Sequence, residues 1–447
     1  MRKELFQNAL NSIADAGREI LNRRSSVDNN HGEAELEISQ LCRDLLSEKG
    51  EALGTALART VMDRYKQLDK TGRLNFFKTL RDEFEPDQDV LEDAIYTYLN
   101  DPSREHRQLL EQRVESPRQS LIRAMNMAPG GTSALLGMRE DLQQFLKEDK
   151  SLRVVDFDFV HLFSSWFNRG FLRIQEISWE TPATVLEKII EYEAVHAIAD
   201  WSDLRRRLGQ DRRCYGFFHP ALPGEPLIFV EVALTNELSG AVQPLLTHQD
   251  EMGKAEEADT AIFYSISNCQ KGLLGISFGN FLIKQVVMEL KQELPNIKTF
   301  STLSPIPLFR KWLDQTFEDG QIADVLNETE LANAYYEFKQ RDVQENDDLT
   351  DEDRKLLIHL CGHYLTQVKR LNMPYDPVAR FHLGNGARLE RINWCGDVSD
   401  NGIKQSYGLM VNYLYDLPTI EKNHEAYINN DEVIISDQVA RLLDTKK

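Results

Sequence analysis

The sequence predicts an α+β protein, with an all-α helical bundle over residues 1–150 followed by a mixed α/β domain over 151–447. Three observations carry that prediction. Apolar residues recur at helical spacing through the first third of the chain. Only four of the 15 prolines precede residue 150, the first being Pro86. Beyond residue 150 the texture changes to short β-branched and aromatic runs punctuated by Pro and Gly. A chain of 447 residues accommodates two or three domains. Its 41% hydrophobic and 28% charged residues give it the composition of a folding, water-soluble chain.

The elements follow in order. Leu5, Ala9, Ile13 and Ile20 lie near one face of an N-terminal amphipathic helix, which lacks the apolar segment of a secretory signal. Ile38, Leu41 and Leu45 repeat the spacing, then Leu53, Leu57, Val61 and Tyr65, then Leu74, Phe77, Leu80 and Phe84. Val90, Leu91, Ile95 and Tyr98 predict a further helix ending before Asn100-Asp101-Pro102. Ala128-Pro129-Gly130-Gly131 is a strong break, and Leu135, Met138, Leu142 and Phe145 mark the helix after it. In the second domain, 184–196 reads as a helix and 215–235 as a hairpin broken at Pro223-Gly224. Residues 261–267 (AIFYSIS) read as a buried strand and 280–293 as a helix. Residues 381–393 read as a hairpin around Gly384-Asn385-Gly386, a turn suited to positive φ. The acidic run 345–353 reads as a solvated loop entering a helix capped by Thr350 and Asp353. The five tryptophans are expected in the core.

Charge and cysteine usage exclude several functions. With 72 acidic and 52 basic residues the net charge is −20, which repels nucleic-acid backbones. No apolar run reaches the length of a membrane span. Cys42, Cys214, Cys269, Cys361 and Cys395 are odd in number and far apart, which fits a reducing, cytoplasmic setting without a disulfide framework or thiolate zinc site. His359 and His363 stand at i, i+4, but Leu360 occupies the position where a zincin carries Glu, so no metal site is expected.

The local pattern richest in chemistry is the strand-turn-helix at 261–293. Gln270, Gly272, Gly275 and Gly279 lie between a buried strand and an amphipathic helix. Glycines there let backbone N–H groups approach a phosphate or pyrophosphate at a helix N-terminus. No Gly-Lys-Ser/Thr closes the turn as in a P-loop, and Q-x-G-x-x-G departs from the dinucleotide fingerprint. The turn looks like the coenzyme-A pyrophosphate loop of GNAT-type acyltransferases, with variant spacing.

Several long blocks, in order, resemble the malonyl-CoA decarboxylase family: WFNRGFL (166–172), FHPALPGEPLIFVEVALT (218–235), AIFYSISNCQKGLLGISFGNFLIKQVV (261–287), FSTLSPIPLFRKWL (300–313), DPVARFHLGNGARLERINW (376–394) and SYGLMVNYLYDL (406–417). The resemblance implies a helical oligomerisation domain, a GNAT-like acyl-CoA-binding catalytic domain, and conversion of malonyl-CoA to acetyl-CoA and carbon dioxide. It places the catalytic pair on Ser304 and His382, and the coenzyme-A loop on Gln270, Lys271, Gly272, Leu273, Leu274, Gly275 and Ile276. It further implies a homotetramer built as a dimer of dimers.

Decarboxylation of a malonyl thioester needs no metal or organic cofactor, because the thioester is the electron sink; coenzyme A enters with the substrate. His382, at the ordinary histidine pKa of ~6.5, would be the general acid near neutrality. Lys271, Lys284, Arg310 and Lys311 could offset the global negative charge at a polyanionic ligand. Two alternatives differ in outcome: an acyl-CoA-dependent acyltransferase would transfer an acetyl group without releasing carbon dioxide, and a non-catalytic acyl-CoA sensor or scaffold would bind without turnover.

Overall fold

The computed structural model describes residues 34–48, 50–247, 254–276, 282–322, 329–341, 349–370 and 372–443. The helix expected around Leu5 to Ile20 lies outside them. The chain forms two compact units.

The first unit is helical. Its helices are Ala34–Ser47, Glu51–Gln67, Lys70–Glu83, Gln88–Asn100, Arg104–Val114, Pro117–Met127, Gly131–Phe145 and Arg153–Trp166. Asp69, Asp87 and Ser103 cap the helices that follow them by accepting from Gly72, Val90 and His106 N–H. Leu57, Val61, Tyr65, Phe77, Leu80, Leu135, Leu142 and Phe145 are buried as their spacing predicts. Arg118 and Asp158 form a buried pair at 2.8 Å, and Ser116 and Gln119 donate to the same carboxylate. A buried carboxylate is tolerated there because it is paired and hydrogen-bonded. The expected boundary at residue 150 falls inside this unit. The helix Arg153–Trp166 buries Val155, Phe159, Leu162 and Phe163, and the unit runs on to Leu172. Two excursions from later sequence, 219–223 and 270–276, also belong to it. Residues 88–100 are helical as predicted, but only Ala94 is buried there; Val90 and Ile95 are exposed.

The second unit is built on an eight-stranded sheet: β1 (Arg173–Ile177), β2 (Arg212–Phe218), β3 (Pro226–Thr235), β4 (Thr260–Asn268), β5 (Thr299–Thr302), β6 (Ser304–Pro305), β9 (Arg388–Asn393) and β10 (Met410–Leu414). β7 (Lys369–Arg370) and β8 (Met373–Pro374) form a separate ribbon. Neighbours are antiparallel except β4 and β5, which are parallel. The helix described over Leu282–Glu293 lies between those two in sequence, and a parallel pair requires such a crossover. The predicted hairpin at 215–235 is β2–β3, and every residue of β3 except the last is buried. The Thr350–Asp353 capping box is present at the start of Asp351–Gln367.

Two expectations are corrected. Residues 377–384 are helical, so the segment preceding Gly386 is not the first strand of a hairpin. The reason was in the sequence: Asp376 accepts from Val378 and Ala379 N–H, and Pro377 starts the helix with its φ already set. Gly386 does adopt positive φ, at 82°, and β9 follows it. Among the tryptophans, Trp179 and Trp201 are exposed and meet edge to face at 6.1 Å.

Candidate active site

Strand alternation assembles one buried polar cluster in the second unit. Ser301 faces Leu414 and Ser304 faces Val411, so β5 and β6 keep a single register along β10. Between them the ladder to β10 is interrupted: Leu303 N–H donates to Phe263 O, and Asn412 Nδ2 donates to Thr302 O at 2.8 Å. Side chains two apart in a strand share a face. Thr302 and Ser304 therefore point the same way as Tyr413 and, two residues on, Tyr415.

The helix Pro377–Gly384 brings His382 onto that face. His382 Nε2 is 3.1 Å from Ser304 Oγ, and Nδ1 is 2.8 Å from Tyr415 Oη. The ring stacks on Tyr413 with centroids 4.8 Å apart and planes 24° from parallel. Ser304 Oγ donates to Thr302 Oγ1 at 2.8 Å, and Thr302 Oγ1 also accepts from Tyr413 N–H at 3.2 Å. Ser304, His382, Thr302, Tyr413 and Tyr415 are all buried. Asp376 fixes the start of the helix from below; burial pushes its carboxyl up to about 6.

The electrostatics correct one expectation. Burial pushes His382 down to about 3, because the ring's hydrogen-bonding neighbours are hydroxyls and none supplies a negative charge. The ring is neutral at neutral pH, so it is not the ready imidazolium that an ordinary histidine pKa would supply. Burial likewise holds the Tyr415 phenol well above its usual range. What the cluster offers is a row of neutral donors and acceptors: phenol, imidazole, hydroxyl, hydroxyl.

The segment 270–276 belongs to the helical unit. Lys271–Leu273 is a single 3-10 turn. Ile276 N–H donates to Leu273 O, and Leu274 (φ −56°, ψ 128°) precedes Gly275 (φ 81°). That is a type II turn, whose third position demands the conformation glycine provides. Gly272 is required for another reason. A Cβ there would meet Leu136 O at 2.3 Å, and Gly272 O accepts from Arg139 Nη1 at 2.7 Å. One glycine thus seats the loop on the helix Gly131–Phe145, and the other bends it. Leu273 and Ile276 are buried, Gln270 is half-buried, and Leu274 and Lys271 are exposed.

Of the expected phosphate-binding cations, Lys284 pairs with Glu421 at 2.6 Å, and Arg310 lies over Tyr407 at 4.4 Å and donates to Ile403 O. Lys271 stays exposed, 3.8 Å from Glu140, and Lys311 is exposed as well. Among the described residues no three His, Cys, Asp or Glu side chains gather as a metal site, and His359 is buried in its helix.

Family models cover most of the chain: the malonyl-CoA decarboxylase N-terminal domain over residues 84–167 and the C-terminal domain over 170–447. The chain belongs to the malonyl-CoA decarboxylase family. As a member it is an enzyme, a carboxy-lyase. The mitochondrial malonyl-CoA decarboxylase of Anser anser anser is 39% identical over 351 residues, spanning 72% of this chain and 68% of that protein. The crystal structure of the Rhodopseudomonas palustris malonyl-CoA decarboxylase is 49% identical and superposes with a TM-score of 0.86 over 92% of this chain and 100% of its own. That from Agrobacterium vitis is 46% identical, with a TM-score of 0.81 over the same shares. The two family models meet at 167–170, agreeing with the end of the helical unit and not with residue 150.

Ser304 and His382 are singled out by the family resemblance, whereas Thr302, Tyr413 and Tyr415 are not. Their signal was a period of two: Thr302-Leu303-Ser304 and Tyr413-Leu414-Tyr415 each place two hydroxyls on one side of a strand.

Proposed function

We propose that the chain converts malonyl-CoA to acetyl-CoA and carbon dioxide, with Ser304 and His382 acting together on the malonyl group. Family membership supports the reaction, and the 3.1 Å approach of Ser304 Oγ to His382 Nε2 in a buried site is the observation that supports the roles. The bond from C2 to the carboxylate breaks, and carbon dioxide leaves. The electron pair passes into the thioester enolate, whose oxygen carries the charge. C2 then takes one proton and the thioester carbonyl re-forms.

A buried, water-poor cluster of neutral donors suits that sequence. Fixed hydrogen-bond donors stabilise charge best where it appears during the reaction and where water does not compete. The enolate is basic enough to take a proton from a neutral donor, so a neutral imidazole can serve. Ser304, 3.1 Å from Nε2, holds the ring in place against the malonyl group. The segment Gln270 to Ile276 takes the coenzyme-A pyrophosphate, with Lys271 as its exposed cation. The reaction proceeds without a metal or organic cofactor. The working assembly is a homotetramer, a dimer of dimers.

The buried state of Cys42, Cys214, Cys269 and Cys361 and the free thiol of exposed Cys395 fit a reducing compartment, the cytoplasm in this reading; several relatives are named as mitochondrial. No helix among the described residues is long and apolar enough to cross a membrane.

The deciding experiment incubates the purified protein with malonyl-CoA and follows products by mass. Acetyl-CoA and carbon dioxide in equal amounts are expected. Binding without turnover, or acetyl transfer to an amine without carbon dioxide, would replace this reading with a sensor or an acyltransferase.

A further inference from the structure

We propose that Thr302 is a positioning residue for the Ser304–His382 pair, its Oγ1 taking the Ser304 proton and so holding the ring proton of His382 on Nε2. The inference rests on the reading of that pair as the reacting centre.

A serine hydroxyl has one proton and two lone pairs. Ser304 Oγ has two partners, Thr302 Oγ1 at 2.8 Å and His382 Nε2 at 3.1 Å, so its proton can serve only one of them. The geometry of that contact has Ser304 Oγ as donor and Thr302 Oγ1 as acceptor, and Thr302 Oγ1, at the end of β5, also receives Tyr413 N–H at 3.2 Å. With the Ser304 proton given to Thr302, Oγ turns a lone pair toward the ring and Nε2 must donate. A neutral imidazole carries one proton, so Nδ1 is then bare and accepts Tyr415 Oη–H at 2.8 Å. Each of the three side-chain contacts in the row then has one donor and one acceptor, and the row ends on the Thr302 hydroxyl. The protons run in one direction, from Tyr415 through His382 and Ser304 to Thr302.

The direction decides what the ring can do. With its proton on Nε2, the uncharged ring is a donor toward Ser304, as protonation of an enolate requires. As Nε2 gives up that proton, Nδ1 takes the one on Tyr415 Oη; the ring stays neutral, the charge passes to a transient Tyr415 phenolate, and a proton from solvent restores the phenol as product leaves. With the opposite polarity Nε2 would be bare and would act as a base toward Ser304, as in a hydrolase. Thr302, which need not touch the substrate, selects between the two.

The test combines spectroscopy with kinetics. Magic-angle-spinning NMR of protein labelled with [15N]histidine separates protonated from bare ring nitrogens, and loss of one signal set in His382→Asn assigns His382. The expected wild-type state is Nε2–H with bare Nδ1. Thr302→Val, which keeps the shape but removes Oγ1, should move the proton to Nδ1 or mix the tautomers. It should lower kcat about 10–100-fold, the range for removing one partner from a buried hydrogen bond, with KM changed less than about twofold. Thr302→Ser should restore both the tautomer and kcat to within about threefold of wild type. An Nδ1–H tautomer in the wild type overturns the proposal even if Thr302→Val does not fold. So does a folded Thr302→Val with unchanged tautomer and kcat. If Ser304→Ala and His382→Asn both keep full kcat, the reading of the pair fails and the proposal with it; if they lose activity while Thr302→Val does not, the proposal alone fails.

Discussion

The segment 270–276 and the Ser304–His382 cluster are built by opposite means. In the segment, backbone conformation does the work: Gly272 lets the chain press against Leu136 O, and Gly275 makes a type II turn. In the cluster, side chains do the work: the alternation of β5–β6 and β10 lines up four hydroxyl residues, and a capped helix lays an imidazole across them. The first region is tuned by shape and the second by proton position. Substitutions in the first should therefore move affinity and leave chemistry alone, and substitutions in the second should do the reverse.

The largest effect is expected where the cluster acts as a unit. Ser304→Ala should lower kcat by about 10²–10⁴-fold, the range typical of acid–base catalysis. Adding His382→Asn to it should cost much less than the product of the two single effects, because groups acting together are not additive. Multiplying effects, measured as kcat on malonyl-CoA, would dissolve the pair into two independent residues.

The next effects lie in the segment and separate its two glycines. Gly272→Ala places a Cβ 2.3 Å from Leu136 O, so the loop must leave the helix. KM for malonyl-CoA should rise by about tenfold or more, with kcat within about threefold. Among the described residues a Cβ at Gly275 meets nothing within 4 Å, and the cost of Gly275→Ala is the positive φ of 81°, about 1 kcal/mol. It should raise KM by less than Gly272→Ala does, whereas Gly275→Val, with its branched side chain, should block approach of the phosphates and raise KM strongly. Isothermal titration with coenzyme A checks all three. Equal effects from the two alanines would mean that the seat on Leu136 is unimportant. Deleting residues 1–150 should abolish coenzyme-A binding outright, since it removes the helix on which Gly272 rests; retained affinity would contradict the account of the loop.

A smaller effect concerns pH. His382 has a folded pKa of about 3 against an unfolded value of ~6.5, so the unfolded chain binds the extra proton as the pH falls between them. Wild type should therefore lose stability relative to His382→Asn from pH ~6.5 downward, by about 2–3 kcal/mol at pH 4.5. The comparison with the variant is needed because burial raises Asp376 to about 6 and Glu231 to about 8, and those two groups favour the folded state as the pH falls. Denaturant titrations at two pH values measure the difference. A constant difference would place a charged histidine in the site. The smallest effect expected is none: exhaustive chelation should leave kcat unchanged, and loss restored by one particular metal would revive the pair His359 and His363.

The two regions also differ in how far the sequence disclosed them. The helices of the first unit were legible because a 3.6-residue period survives without knowledge of partners, as Leu53, Leu57, Val61 and Tyr65 illustrate. The turn at 270–276 was legible as a turn because glycine pairs announce one, but the reason for Gly272 was not, since Leu136 is 136 positions away. Neither Ser304 nor His382 stands in a local motif that marks a reacting group, and His382 fell within the expected hairpin. Only resemblance over long blocks singled them out, because their meeting depends on β10, a strand more than 100 residues beyond Ser304. The depressed pKa of His382 was illegible for the same reason: burial is a property of the assembled sheet and helix. The helix start at Asp376-Pro377 was present in the sequence and was outweighed by the Gly-Asn-Gly signal that follows it.

The central claim is that chemistry resides in the cluster and affinity in the loop. One protein tests it most directly: His382→Asn, assayed for kcat on malonyl-CoA and for its dissociation constant with coenzyme A. The kcat should be lower by about 10²–10⁴-fold, the range of a lost acid catalyst, with the dissociation constant within about twofold of wild type. A near-normal kcat, or an affinity that falls in step with kcat, would contradict it.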